Sequence, residues 1–154
     1  MKSKSLIGLV LAMVLACGMA FGATYTNFTG SGAVLPTGQG VVTVQNTINF
    51  ATRPVATTDV VKVIGVPSGA TVLAVGYSVN STNAPVTVST FDIGDTGSAT
   101  QYKSAGTVNT AGIVQASVTG KIYTAADALY LTFYGTITNG NITAWAVIAA
   151  PPRL

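Results

Sequence analysis

Beyond residue 22 the chain keeps one pattern: apolar residues fall on every second position in short runs, and the runs end at Gly, Pro, Asn or Asp. Side chains alternate between the two faces of a pleated strand, so a period of two marks half-buried strands. No segment after residue 22 carries the period of a long helix. Val42, Val44, Ile48 and Phe50 share a face opposite Thr43, Gln45, Thr47 and Asn49, and Asn46 is the one polar residue on the apolar side. This reads as one strand, or as two broken near Asn46. Val60 to Ile64 leads to Pro67-Ser68-Gly69, where Pro presets φ and Gly supplies a positive φ, so a turn is expected. It would join a strand over Thr71 to Val79, with Leu73, Val75, Tyr77 and Val79 on one face.

The stretch from Asn80 to Pro85 reads as a loop, and Val86 to Ile93 as a strand ending in the turn Gly94-Asp95-Thr96-Gly97. There, Asp95 is expected to cap backbone N–H groups and Gly97 to take a positive φ. A polar loop through Tyr102 and Gly106 precedes a strand over Ile113 to Val118, and Asp127 reads as a turn residue. Leu129, Leu131 and Phe133 then alternate with Tyr130, Thr132 and Tyr134, and Asn139-Gly140 predicts a type I′ hairpin into Ile142 to Ile148. Pro151-Pro152 stops the last strand. Seven or eight such strands with no helices between them predict an all-β fold: an antiparallel β-sandwich, jelly-roll-like, over residues 23–154 as a single domain.

Residues 1–22 differ. Lys2 and Lys4 precede an apolar run from Leu6 to Ala16 and then small residues, which is the layout of a secretory signal peptide cut before Ala23. A second parse takes Val14-Leu15-Ala16-Cys17 as a lipobox with Cys17 as the lipidation site. A third keeps the segment as an apolar N-terminal arm. Only through this segment would the chain meet a membrane. Both export parses leave a body without a disulfide, because Cys17 is the only cysteine.

Composition narrows the chemistry. From residue 23 on, five basic residues face four acidic ones, scattered singly, so no basic surface suited to nucleic acid is expected. With no His, no Glu and no further Cys, the usual general bases, thiol nucleophiles and zinc ligands are missing, and no cofactor is expected. Asp95-Thr96-Gly97 matches the opening of an aspartic protease loop, where two carboxylates share a proton. Gly94 stands where an apolar strand residue belongs, so a turn is the simpler account. Asp92 and Asp95 offer too few oxygens for a calcium loop. Asp92 lies on the face of Val86, Val88 and Thr90 and is expected to be a buried or edge carboxylate satisfied by backbone donors.

The remaining candidates are apolar or aromatic. Both faces of the last strand are apolar, since Trp145 and Val147 oppose Ala144, Ala146 and Ile148, so this strand either wants cover on both sides, from the second sheet and from a neighbouring subunit or loop, or is simply a central strand. Tyr130, Tyr134, Trp145 and Val147 are therefore the candidate interface residues. Aromatic rows also stack on sugars, which keeps an exported adhesin or carbohydrate-binding module as the alternative. Thr- and Val-rich strands with few charges leave edges open to β-addition, so partner subunits are expected to cover them, in a trimer or a larger array.

Three blocks, Val60-Val61-Lys62-Val63-Ile64-Gly65-Val66-Pro67 with Thr71 to Gly76, Thr90-Phe91-Asp92-Ile93-Gly94-Asp95, and Gly120-Lys121-Ile122-Tyr123-Thr124-Ala125-Ala126-Asp127, stand in an order that resembles small tailed-phage virion proteins. The resemblance spans about residues 58–149. It implies a non-enzymatic structural or decoration protein of a phage particle, of head-decoration or fibre type. Such a protein is a β-sandwich that self-associates and binds capsid or other virion proteins. It defines no functional residues that transfer to this chain. Such a protein belongs in the virion, whereas the bacterial alternative is exported to the periplasm, outer surface or medium.

Overall fold

The alternation resolves into eight strands: β1 (Gly40–Asn49), β2 (Val60–Val66), β3 (Thr71–Val79), β4 (Thr90–Asp95), β5 (Ser98–Thr107), β6 (Gly112–Ile122), β7 (Asp127–Phe133) and β8 (Asn141–Ala150). The structure, a computed structural model, describes residues 40–80, 85 and 89–150. The segment 1–22 with Cys17, most of the expected loop at 80–85, the start of the expected strand at 86–93, and Pro151-Pro152 lie outside the described residues.

Two four-stranded antiparallel sheets form, in the orders β1-β8-β3-β6 and β2-β7-β4-β5. Only the β4–β5 connection stays within a sheet; every other step of the chain crosses to the opposite sheet. This interleaving is the jelly-roll arrangement. The core lies between the sheets. Val42, Val44, Ile48, Val72, Val75, Tyr77, Ile142, Ala144, Ala146 and Ile148 line one side, and Val61, Ile64, Phe91, Ile93, Leu129, Leu131 and Phe133 the other. Three aromatic contacts knit its centre: Tyr77 meets Phe91 edge-on at 4.8 Å, Phe50 meets Phe133 edge-on at 5.6 Å, and Phe91 lies 6.0 Å from Phe133.

Asn46 does not break β1, which runs continuously against β8. Its amide Nδ2 donates to the Val63 carbonyl at 2.9 Å. That carbonyl sits where β2 slips register against β7 between Lys62 and Ile64. A polar residue on the inner face thus meets a backbone group displaced by a bulge, and neither is left buried without a partner.

Four expectations need correction. Leu73 does not share a face with Val75, because β3 slips register between Val72 and Ala74 against both neighbours; Val72 takes the core position and Leu73 is half-buried. The segment through Tyr102 and Gly106 is not a loop but β5, a polar edge strand held by backbone pairing to β4 and lacking an apolar alternation that would announce it. Asn139-Gly140 does not close a hairpin, since β7 and β8 lie in different sheets. Gly140 has φ of 88° but Asn139 is not in the left-handed region that a type I′ turn needs at both positions. The connecting stretch is long enough to cross the roughly 10 Å between sheets, and it pairs Ile137 with Val55 on the way. Gly97 does not take a positive φ, whereas Gly69 does, at 79°, where the Pro67-Ser68-Gly69 turn carries the chain from one sheet to the other.

Candidate functional site

Among the described residues, titratable side chains form two hydrogen-bonded clusters, one on Asp95 and one on Asp92. At the end of β4, Asp95 turns inward and accepts hydrogen bonds on both oxygens. Oδ1 takes the Gly97 and Ser98 N–H groups at 3.0 and 3.1 Å, which caps the β4–β5 turn as its sequence suggests. Oδ2 takes the Tyr123 hydroxyl at 2.7 Å and the Lys121 ammonium. The Tyr123 proton is committed to the carboxylate, so Tyr102 donates to the Tyr123 oxygen. Lys121 also lies 5.1 Å from the Tyr123 ring centroid. Alternation along Lys121-Ile122-Tyr123 brings Lys121 and Tyr123 to one side, and the group ties the β6 end to the β4–β5 hairpin across the two sheets.

Burial opposes ionisation of Asp95, but the Lys121 and Tyr123 hydrogen bonds, the Lys121 charge and the Gly97 N–H outweigh it and hold its carboxyl below the usual range. Burial pushes the Tyr102 phenol up to about 12, helped by the Asp95 and Asp127 charges and opposed by the Tyr123 hydrogen bond. Burial and its bonds to Tyr102 and Asp95 raise Tyr123 as well. Both oxygens of Asp95 are engaged by the protein, so the Asp-Thr-Gly run forms a turn cap and a cross-sheet clamp.

The second group is Asp92, which is buried rather than at an edge. One donor is backbone, the Ala105 N–H at 2.8 Å to Oδ1; the other is the Tyr134 hydroxyl at 2.6 Å to Oδ2. Ala105 has φ of 51° at the point where β5 slips against β4, and the carboxylate holds that strained bulge in place. The bond to Asp92 raises the Tyr134 phenol, with burial and the Asp92 charge adding to it. Among the described residues no group of three or more His, Cys, Asp or Glu comes together.

The four candidate interface residues do not form one patch. Tyr130 projects from the outer face of the β2-β7-β4-β5 sheet, paired with Lys62 and Gly94, and Tyr134 follows at the end of β7, 48% exposed. Trp145 and Val147 project from the opposite side of the sandwich, on the outer face of β8, half-buried. Trp145 lies flat over Gly76 of β3, where a Cβ would come within 2.2 Å of the indole.

Among the described residues, the outer face around Trp145 carries no charged side chain. Register places its residues in four rows across β1, β8, β3 and β6: Val41-Ala149-Thr71-Ile122, Thr43-Val147-Ala74-Val118, Gln45-Trp145-Gly76-Gln115 and Thr47-Thr143-Ser78-Ile113. None carries a charge, because Lys121 pairs with the core residue Val72 and faces inward. Ile113, Val118 and Ile122 of β6 are 81%, 73% and 65% exposed, and Val41 of β1 is 49% exposed. These β6 residues were not singled out by sequence reading. The strand was legible from Ile113 to Val118, but which of its faces meets the core depends on a slip against β3 between Val75 and Gly76.

No family model and no curated protein matches the chain. Among solved structures, a chain of the cyanophage Pam1 capsid asymmetric unit is similar in fold, with a TM-score of 0.57 and 23% sequence identity. The match covers 81% of this chain and 98% of that one, so the sandwich described above is equivalent to nearly the whole of a chain found in a phage capsid unit.

Proposed function

We propose that this chain is a non-enzymatic structural component of a phage particle, of head-decoration or fibre type. It acts by self-association and by binding capsid or other virion proteins. The observation that carries this reading is the near-complete coverage of a phage capsid chain by the same two-sheet fold. The resemblance of the blocks at 60–76, 90–95 and 120–127 to tailed-phage virion proteins agrees with it. So does the use of the buried carboxylates, which brace a turn and a bulge.

The alternative, an exported bacterial surface protein or lipoprotein with an adhesin or carbohydrate-binding role, rests on the layout of residues 1–22. One measurement separates the two. Particles purified from the native source on a density gradient are digested, and the chain's peptides and its intact N-terminus are read by mass spectrometry. The virion reading expects the chain in the particle band at a fixed ratio to the shell protein. Its absence there, together with a cell-envelope form beginning at Ala23 or acylated at Cys17, would overturn the reading.

A further inference from the structure

We infer that the outer face of the β1-β8-β3-β6 sheet, centred on Val118 and Val147 and bordered by the β6 edge, is where a second copy of this chain docks. The inference deepens the self-association part of the proposed function and rests on it. The two sheets differ in how their edges are guarded. Lys62 on β2 and Lys103 on β5 stand on both edges of the β2-β7-β4-β5 sheet, and such lysines keep an edge from pairing with another chain. β1 has no charged residue, and the only one on β6, Lys121, is turned inward to Asp95. Among the described residues, the edges without an outward lysine and the most exposed aliphatic side chains therefore belong to the same sheet.

Area and chemistry identify the occupant. Four strands about 4.8 Å apart and about ten residues long at roughly 3.3 Å each present a face of about 600 Å². That matches the lower end of the roughly 600–1,000 Å² that each partner contributes to a stable interface. The face holds no charge, so a charged partner surface would lose water there without gaining a counter-charge. Its polar residues are Thr, Ser and Gln, each of which both donates and accepts, so a copy of the same surface can satisfy them. Aliphatic centres with uncharged polar surroundings are the composition of contacts between like subunits.

The test is sedimentation velocity on the full chain across a concentration series. Wild type is expected to self-associate. Val118→Lys and, independently, Ile113→Lys should each weaken association at least about tenfold by placing an unpaired charge in the contact. Both side chains are exposed, so circular dichroism and the urea midpoint should stay as in wild type. Val60→Lys, on an exposed position of the other sheet, should leave association unchanged. A wild-type chain that stays monomeric would overturn the inference, and so would a folded Val118→Lys variant that associates as tightly as wild type. A monomer that loses particle binding on Val118→Lys also overturns it, since the face would then belong to the shell. The two readings fail separately. A chain absent from particles that still associates through Val118 removes the virion role and leaves this surface, whereas a particle-bound chain indifferent to Val118→Lys does the reverse.

Discussion

Asp95 shows how one carboxylate can be mistaken for chemistry. Its sequence neighbours suggest a turn cap, and Gly97 and Ser98 bear that out, but its other oxygen is held by Lys121 and Tyr123, 26 and 28 residues away. No local spacing announces those partners, because they arrive on a strand of the other sheet. The arrangement fixes a pH dependence. The folded state holds the Asp95 carboxyl below its ordinary value, so the unfolded state takes up the proton first as pH falls. Its contribution is fully present above about pH 4, the ordinary carboxylate range, and is lost as pH drops through the folded value. Asp95→Ala should therefore cost about 2–3 kcal/mol at neutral pH, the scale of hydrogen bonds to a charged group. Urea midpoints of the variant and wild type should converge as pH is lowered from 5 towards 2. A gap that stays constant over that range would show that Asp95 acts only as a spacer.

Element by element, the strands with alternating apolar residues were readable and their pairing was not. β1, β3 and β8 appear within a few residues of their expected bounds because one face of each is buried. β5 escaped notice because its pairing is carried by backbone groups, which every sequence supplies. The register slips at Leu73 and near Gly76 were equally silent, yet they decide which face of β3 meets the core. Gly76 has a specific reason to be glycine. A Cβ there would meet the Trp145 ring at 2.2 Å and the Val114 carbonyl oxygen at 2.5 Å, so the indole and the β6 backbone both block it. Gly76→Ala should destabilise the fold by about 1–3 kcal/mol, as overpacking does. It should also lift Trp145 off the sheet and shift its emission to longer wavelength. Trp145 is the single tryptophan, so the signal is unambiguous. Unchanged emission at wild-type stability would mean that the two strands can part without cost.

At the scale of the molecule, what distinguishes the two sheets is where their few charges stand. The sequence shows the charges as single, scattered residues; only the strand order reveals that Lys62 and Lys103 stand on the two edges of one sheet while Lys121, on an edge of the other, is held by Asp95. The apolar face of the last strand was legible as a surface wanting cover, but Tyr130 and Tyr134 could not be separated from Trp145 and Val147 without knowing that β7 and β8 belong to opposite sheets. If the edge lysines direct association to one side of the sandwich, removing them should open the other side. The double variant Lys62→Thr, Lys103→Thr keeps β propensity, and among the described residues neither lysine's ammonium forms an ion pair. It is expected to form larger species than wild type in light scattering, because β2 and β5 then present unguarded backbone groups to other chains. Adding Val118→Lys should not dissolve those species, since they grow from the opposite sheet. Growth that Val118→Lys does abolish would place both associations on one surface and deny the lysines a guarding role.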